Sequence, residues 1–404
     1  MSGQLWQFSA MDRLFFRDGR PFNMSETTWQ ESQFPPSGRT LQGAVRTAIL
    51  QHLGADFAAF AKGEPCYNDA HGKPQSLREQ MGDATSLGQL ALSGPFVMKD
   101  GGYLFPAPLD LVRYKSGGYG LLTVNEAQTV DCDLGRVVLP HADAPGVKQL
   151  EGHCLTSSLM EAYLCTDIGA IQSPKRQDDG QANLWPLRAA SHQAPGLIDV
   201  ESKIGLERND DTRTAEEGML YSIAFVRPRE GVSLGVGVGS LCPAIQPNDG
   251  RLQALGGEGK LAQITVKQMP SLPSMPQLTE KGGSVRFKLV LITPALLDRR
   301  GERWLPQGAE EQKTTSGATC WHITDESSST SFTIVSACIG KRIKIGGWDI
   351  ANNKPRPLTG YVPAGSVYFC RTDSSQLDNI KKLHGTKLGL DTEYGFGQVL
   401  VGTW

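Results

Sequence analysis

Arg39 and Arg46 lie seven residues apart on one predicted helix. That is two turns, so both guanidinium groups project from one side, about 10 Å apart. Gly43 falls between them and leaves a shallow notch. Ser37 or Thr40 supplies a cap, and the free N–H groups of the helix start carry partial positive charge. Arg17 and Arg20, just after the first predicted strand, add two cations near the same place. The chemistry this set suits is the cradling of a phosphodiester backbone. The same residues also allow a plainer arrangement, with both arginines solvated and Gly43 letting the helix press on a sheet.

A second basic group is Lys341, Arg342 and Lys344, followed by Gly346, Gly347 and Trp348. On a strand Arg342 and Lys344 share one face and Lys341 takes the other. They suit phosphate contacts, and Trp348 suits stacking on a base or burial near a turn. Two glycine loops, Leu255 to Leu261 (Gly256, Gly257, Gly259, Lys260) and Glu393 to Gln398 (Gly395, Gly397), each precede a strand-like run. Without a Cβ, their backbone N–H groups can approach a large anion, or they simply turn the chain.

Other chemistries find less support. Gly256 to Lys260 is not a Walker loop, because Ala254 and Leu261 stand where glycine and a hydroxyl residue are needed. Gly235 to Gly239 opens no helix, so a dinucleotide fold is not indicated. The seven histidines are scattered, and the eight cysteines form no C-x-x-C and no Cys/His group at zinc spacing. No metal or cofactor is expected. The cysteines read as reduced thiols of a cytoplasmic protein. The start of the chain lacks a signal-peptide pattern, and the longest apolar run, Leu289 to Leu297, is broken by Thr293 and Pro294. No membrane partner is expected.

The elements that position these residues are mostly strands. With 404 residues, 46 glycines and 24 prolines, the chain reads as two or three strand-rich domains. The 40 basic and 42 acidic residues leave a net charge of −2, which argues against a tail-driven nucleic-acid binder but permits a local basic groove. A first strand spans residues 5–16 and the clearest helix 39–53, stopped by Gly54. A hairpin covers 90–114 with its tip at 99–102, and a short helix covers 156–165. A long hairpin has arms at 203–207 and 219–227 and a polar tip at 208–217. A strand of alternating valine and glycine spans 232–238. The proline-rich stretch from Pro270 marks a linker over 270–280, dividing a domain of 1–269 from one of 281–404. The second opens with a strand at 284–292, holds a helix at 373–383 and closes on a strand at 398–404.

Several blocks together resemble a known family. They are Leu14 to Phe22, Gly205 to Tyr221, Leu255 to Leu261, Gly346 to Asp349, Val362 to Tyr368 and the tail from Glu393. In order and spacing they resemble the third-subunit family of type III-B, or Cmr, CRISPR effector complexes, within the repeat-associated mysterious protein (RAMP) superfamily. The resemblance implies an α+β fold of two ferredoxin-like (RRM-like) domains with antiparallel sheets, glycine-rich loops and a β-hairpin thumb. It implies a non-catalytic role in antiviral defence: holding the 5′ tag of the CRISPR RNA. The implied protein partners are the large polymerase/cyclase-like subunit and a RAMP backbone subunit. Two alternatives stay open: an endoribonuclease that trims precursor CRISPR RNA, and a purely protein-bridging subunit.

Overall fold

The computed structural model describes residues 3–17, 29–174, 182–189, 195–209, 211–239, 241–325, 329–349 and 353–404. Eight strands form the centres of two sheets. In the first half they are β1 (Gln4–Ala10), β2 (Ala91–Lys99), β3 (Val232–Gly239) and β4 (Leu261–Gln268). In the second half they are β5 (Ser284–Leu291), β6 (Thr330–Cys338), β7 (Val367–Asp373) and β8 (Val399–Gly402). Three helices matter to the argument: α1 (Gly38–His52), α2 (Ser157–Leu164) and α3 (Leu377–Lys382). The fold is mixed α+β, mostly antiparallel, with few helices among the described residues.

The central order of the first sheet is β2-β3-β1-β4, and each neighbouring pair is antiparallel. Alternation along β1 explains its two faces. Trp6 and Phe8 turn toward Leu41, Val45, Ala48 and Ile49 of α1 in one core. Leu5 turns the other way, into a core shared with the second half. The second sheet repeats the plan as β6-β7-β5-β8, again antiparallel. Its α3 docks through Ile380 against Phe287, Leu289 and Val401.

The two halves are joined by more than chain. Phe96, Phe105, Met160 and Leu164 from the first pack with Val290, Phe369 and Leu400 from the second. Strand alternation turns Lys288 of β5 into that apolar seam, where its side chain is 2% exposed. Its ammonium meets Asp110 at 3.1 Å and lies 4.1 Å from the centre of the Tyr163 ring. The Tyr163 hydroxyl donates to the same carboxylate at 2.6 Å. Burial, reinforced by Asp110, pushes the Tyr163 pKa well up. A charge pair, doubly bonded and fully desolvated, thus pins one half to the other.

Residues 130–137, first-half by sequence, add two strands to the edge of the second sheet, with Val137 beside Thr319 in parallel. The proline-rich connection carries no strand between Gln268 and Glu280, yet it is fastened by side chains. Leu272 packs on the shared core and Leu278 on the second. His384 staples it: Nδ1 accepts from the Val401 N–H at 3.1 Å, so Nε2 carries the proton to the Pro273 carbonyl at 2.8 Å. Burial holds this histidine below its ordinary 6.5. The unfolded chain therefore binds the proton first, and stability present above about pH 6.5 falls as pH drops toward the folded value. His384→Gln is expected to flatten that decline, as read from denaturant midpoints between about pH 7 and pH 5.5.

The expected helices, the 90–114 hairpin and the long hairpin are present. The last is longer than its pattern suggests, pairing Ile198–Arg208 with Ala215–Pro228. The first strand stops at Ala10, and Leu14 to Phe16 instead line up beside Val226. All eight cysteines are unpaired. Among the described residues no helix is long and apolar enough to cross a membrane, and no group of three or more acidic, histidine or cysteine side chains could hold a metal ion.

Candidate nucleic-acid interface

α1 begins where expected. Ser37 is the N-cap: its Oγ accepts from the Thr40 N–H at 3.3 Å and lies 3.1 Å from the Thr40 hydroxyl. The helix start is not an open anion site, however. A Cβ on Gly38 would strike the Tyr394 carbonyl, so the tail segment is laid directly over it. Arg39 is committed as well. It pairs with Asp391 at 2.6 Å and lies 4.3 Å over the Tyr394 ring. Tyr361 donates to the same carboxylate oxygen at 2.8 Å. Burial alone would lower the Arg39 pKa, but Asp391 and the two tyrosines outweigh it and the net shift is upward.

Arg46 is likewise a structural fastener. It donates to the carbonyls of Asp83 (3.0 Å), Met81 and Ser86, closing the loop behind α1. Burial pulls its guanidinium down to about 10, against the opposing pull of Tyr394 and Asp83. The expected pair of phosphate-gripping arginines is therefore corrected: chain carbonyls and a carboxylate already occupy both. Gly43 is exposed, with nothing within 4 Å of the place a Cβ would take, so the notch exists without its two cationic posts. Arg46→Ala is expected to cost about 1.5–3 kcal/mol, the worth of hydrogen bonds to a charged group. Thermal unfolding should show the loss, with RNA affinity unchanged within about twofold wherever the variant is folded.

The tail loop is also closed. Gly395 and Gly397 are buried, and their N–H groups donate to the carbonyls of Thr392 (3.1 Å) and Pro294 (2.7 Å). Gly397 has φ +76°, and a Cβ there would collide with the Leu388 carbonyl. Close backbone packing, not anion binding, is what demands these glycines. The 255–261 loop is divided in use. Gly256 presses on the Phe15 carbonyl and Gly257 donates to it at 2.8 Å, whereas Gly259 is exposed with open space around it. Lys260 stands 5.2 Å from the Phe225 ring, and Arg13 covers that ring at 4.6 Å. This cationic–aromatic rim was missed at Arg13 and Phe225, whose meeting depends on strand pairing across the hairpin root. Arg17 is exposed and bridges Ser32 through its backbone; Arg20 lies outside the described residues.

The second basic group stands apart from these. A ribbon pairs Ile343–Ile345 with Thr359–Tyr361, and beyond it Trp348–Asp349 with Lys354–Pro355. Alternation buries Ile345 and exposes Lys344. Arg342 is bound to the carbonyls of Gly301 (3.4 Å) and Glu302. Lys341 and Lys344 are exposed and have no ion-pair partner among the described residues, and Trp348 is 54% exposed rather than buried. The ribbon adjoins α1 through its own Tyr361, by way of Asp391 and Arg39. Two point charges and one aromatic plane, on a strand whose other side is packed on Phe396 and Leu296, form a surface for a flexible polyanion with unstacked bases.

None of the curated proteins matches the chain. Among solved structures it is similar to a chain in a cryo-EM structure of the Type III-B Cmr-beta bound to cognate target RNA and AMPPnP. There the identity is 16%, over 94% of this chain and 88% of that one, with a TM-score of 0.46. A second Cmr-beta structure, bound to cognate target RNA, gives 15% identity over 98% and 96%, with a TM-score of 0.47. A chain of the Csm3-Csm4 subcomplex of the type III-A CRISPR-Cas interference complex gives 10% identity over 90% and 92%, with a TM-score of 0.39. Residues 6–404 match the family model of the CRISPR-associated protein (Cas_Cmr3), and on that span the chain belongs to the Cas_Cmr3 family and is a Cmr subunit.

Proposed function

We propose that this chain is a non-catalytic, cytoplasmic subunit of a type III-B CRISPR effector that holds the 5′ tag of the CRISPR RNA. It docks on the large polymerase/cyclase-like subunit on one side and on a RAMP backbone subunit on the other. Family membership over nearly the whole chain supports the setting. The strand orders support two ferredoxin-like domains, because both sheets run 4-1-3-2 when numbered by chain position. The first domain keeps the first crossover helix of that plan as α1, and the second keeps the second as α3.

One observation carries the RNA reading. Of the cations the sequence singles out, Lys341 and Lys344 stand on one ribbon with exposed Trp348, while Arg39, Arg46 and Arg342 are bound within the chain. The ribbon gives phosphate contacts and a stacking face, the recurring means of holding single-stranded RNA. A non-catalytic role is in keeping with His384, whose two ring nitrogens are both engaged in structural bonds. The test is photocrosslinking of a tag-labelled guide in the assembled complex. Crosslinks to the 341–361 ribbon are expected; a tag that crosslinks only to other subunits would overturn the reading. Metal-independent cleavage of precursor RNA by the purified chain would favour the nuclease instead.

A further inference from the structure

At the root of the long hairpin a cleft of about 410 Å³ opens on the first sheet, opposite α1. Its walls include Gln7, Ser9, Arg229, Glu230, Ser233 and Lys267. The register places them. Gln7 lies beside Thr265, and Leu5 beside Lys267, so the outward faces of β1 and β4 meet here. Gln7 is nine-tenths buried, and its Nε2 donates to the Ser233 Oγ at 2.8 Å. Its Oε1 has no hydrogen-bond partner. Turning the amide about its last torsion would orphan the nitrogen instead, so one polar atom lacks a partner either way. A buried amide atom left unsatisfied is costly, and such a group in a cleft wall is satisfied by what the cleft receives.

The charges narrow the ligand. Arg229 is held by both oxygens of Asp199, at 2.9 and 2.7 Å, and Asp100 pairs with Lys99 at 2.9 Å. At the rim Glu230 and Lys267 add one exposed charge of each sign, and Lys267 has no ion-pair partner among the described residues. The lining is therefore no trap for a multiply charged anion. It offers amide, hydroxyl and carboxylate groups to a neutral ring with both donors and acceptors, and one ammonium to a single flanking phosphate. The ring of Pro228 and the peptide at Gly231 give it flat walls.

We propose that this cleft takes one unstacked nucleobase of the bound RNA, read along its hydrogen-bonding edge by Gln7 and Ser233, with Lys267 on the adjoining phosphate. The inference rests on the tag-binding reading and adds a base-reading pocket to it. Guide RNAs carrying one thiolated base at successive tag positions, loaded into the assembled complex, should crosslink at one position to the peptides bearing Gln7 or Arg229 to Ser233. An abasic site at that position is expected to weaken binding about tenfold in the native complex, the worth of one read base. With Gln7→Leu, similar in size and without the orphaned amide, the abasic penalty should fall below about twofold. Lys267→Gln, at an exposed position that leaves the core untouched, should lower affinity about threefold. Crosslinks that reach the 341–361 ribbon but never the cleft, or an abasic penalty equal in native and Gln7→Leu complexes, would overturn the pocket and leave tag binding standing. Crosslinks confined to other subunits would overturn both.

Discussion

Lys288→Met is expected to lower the stability of the protein by about 3–5 kcal/mol, because it strands the Asp110 carboxylate in an apolar seam. Asp110 is fully buried, and after the substitution only the Tyr163 hydroxyl, 2.6 Å away, would serve it. The double variant Lys288→Met with Asp110→Asn removes both charges and leaves Tyr163 an amide oxygen to donate to. It should recover most of the loss, since the desolvation cost disappears with the charges. Denaturant unfolding of the two single variants and the double variant measures the coupling. If the Lys288→Met loss is no larger than that of the double variant, the pair is not what joins the halves. Since Lys288 belongs to β5 and Asp110 to the first half, the slope of the transition should also change if the halves begin to unfold separately.

Reversing the charges of the ribbon, Lys341→Glu with Lys344→Glu, is expected to weaken tag RNA binding by the assembled complex about 10²-fold at moderate salt. Both residues are exposed, so the fold should tolerate the change. The salt dependence is the sharper readout. Each phosphate contact to single-stranded RNA adds about 0.7 to the slope of log affinity against log salt, so losing two should flatten it by about 1.4. Trp348→Ala should cost about 1–3 kcal/mol of binding with the slope unchanged, because stacking releases no counterions. An unaltered slope in the charge-reversal variant would place the phosphates elsewhere.

Periodicity made most of the framework legible. The stripe from Leu41 to Leu53, the Ser37 cap and Gly54 define α1 nearly to the residue. The alternation of valine and glycine from Val232 delivers β3. The site was read less well, and for a single reason. The sequence shows which residues are cationic but not which carbonyls and carboxylates reach them. Arg39 meets Asp391 across a separation of 352 residues, and Arg46 meets a loop 35–40 residues on. Neither partner leaves a local signal. The glycine loops mislead similarly: a glycine needed for backbone contact, as at Gly397, is spelled like one left open to a ligand, as at Gly259. Lys344 and Trp348 were recoverable because their exposure follows from a local ribbon.

The Asp391 junction also bears on biosynthesis. α1 leaves the ribosome early, but the carboxylate that neutralises its first arginine and the carbonyl laid over Gly38 come from the region of Asp391 to Tyr394. At ordinary translation speeds of about 5–20 residues per second, a span of 352 residues keeps that seam open for roughly 20–70 s. During this time the nascent helix start is an uncovered positive dipole beside an unneutralised guanidinium. A polypeptide arrested before Asp391 keeps it so permanently, exposing to passing polyanions a surface that the finished molecule seals.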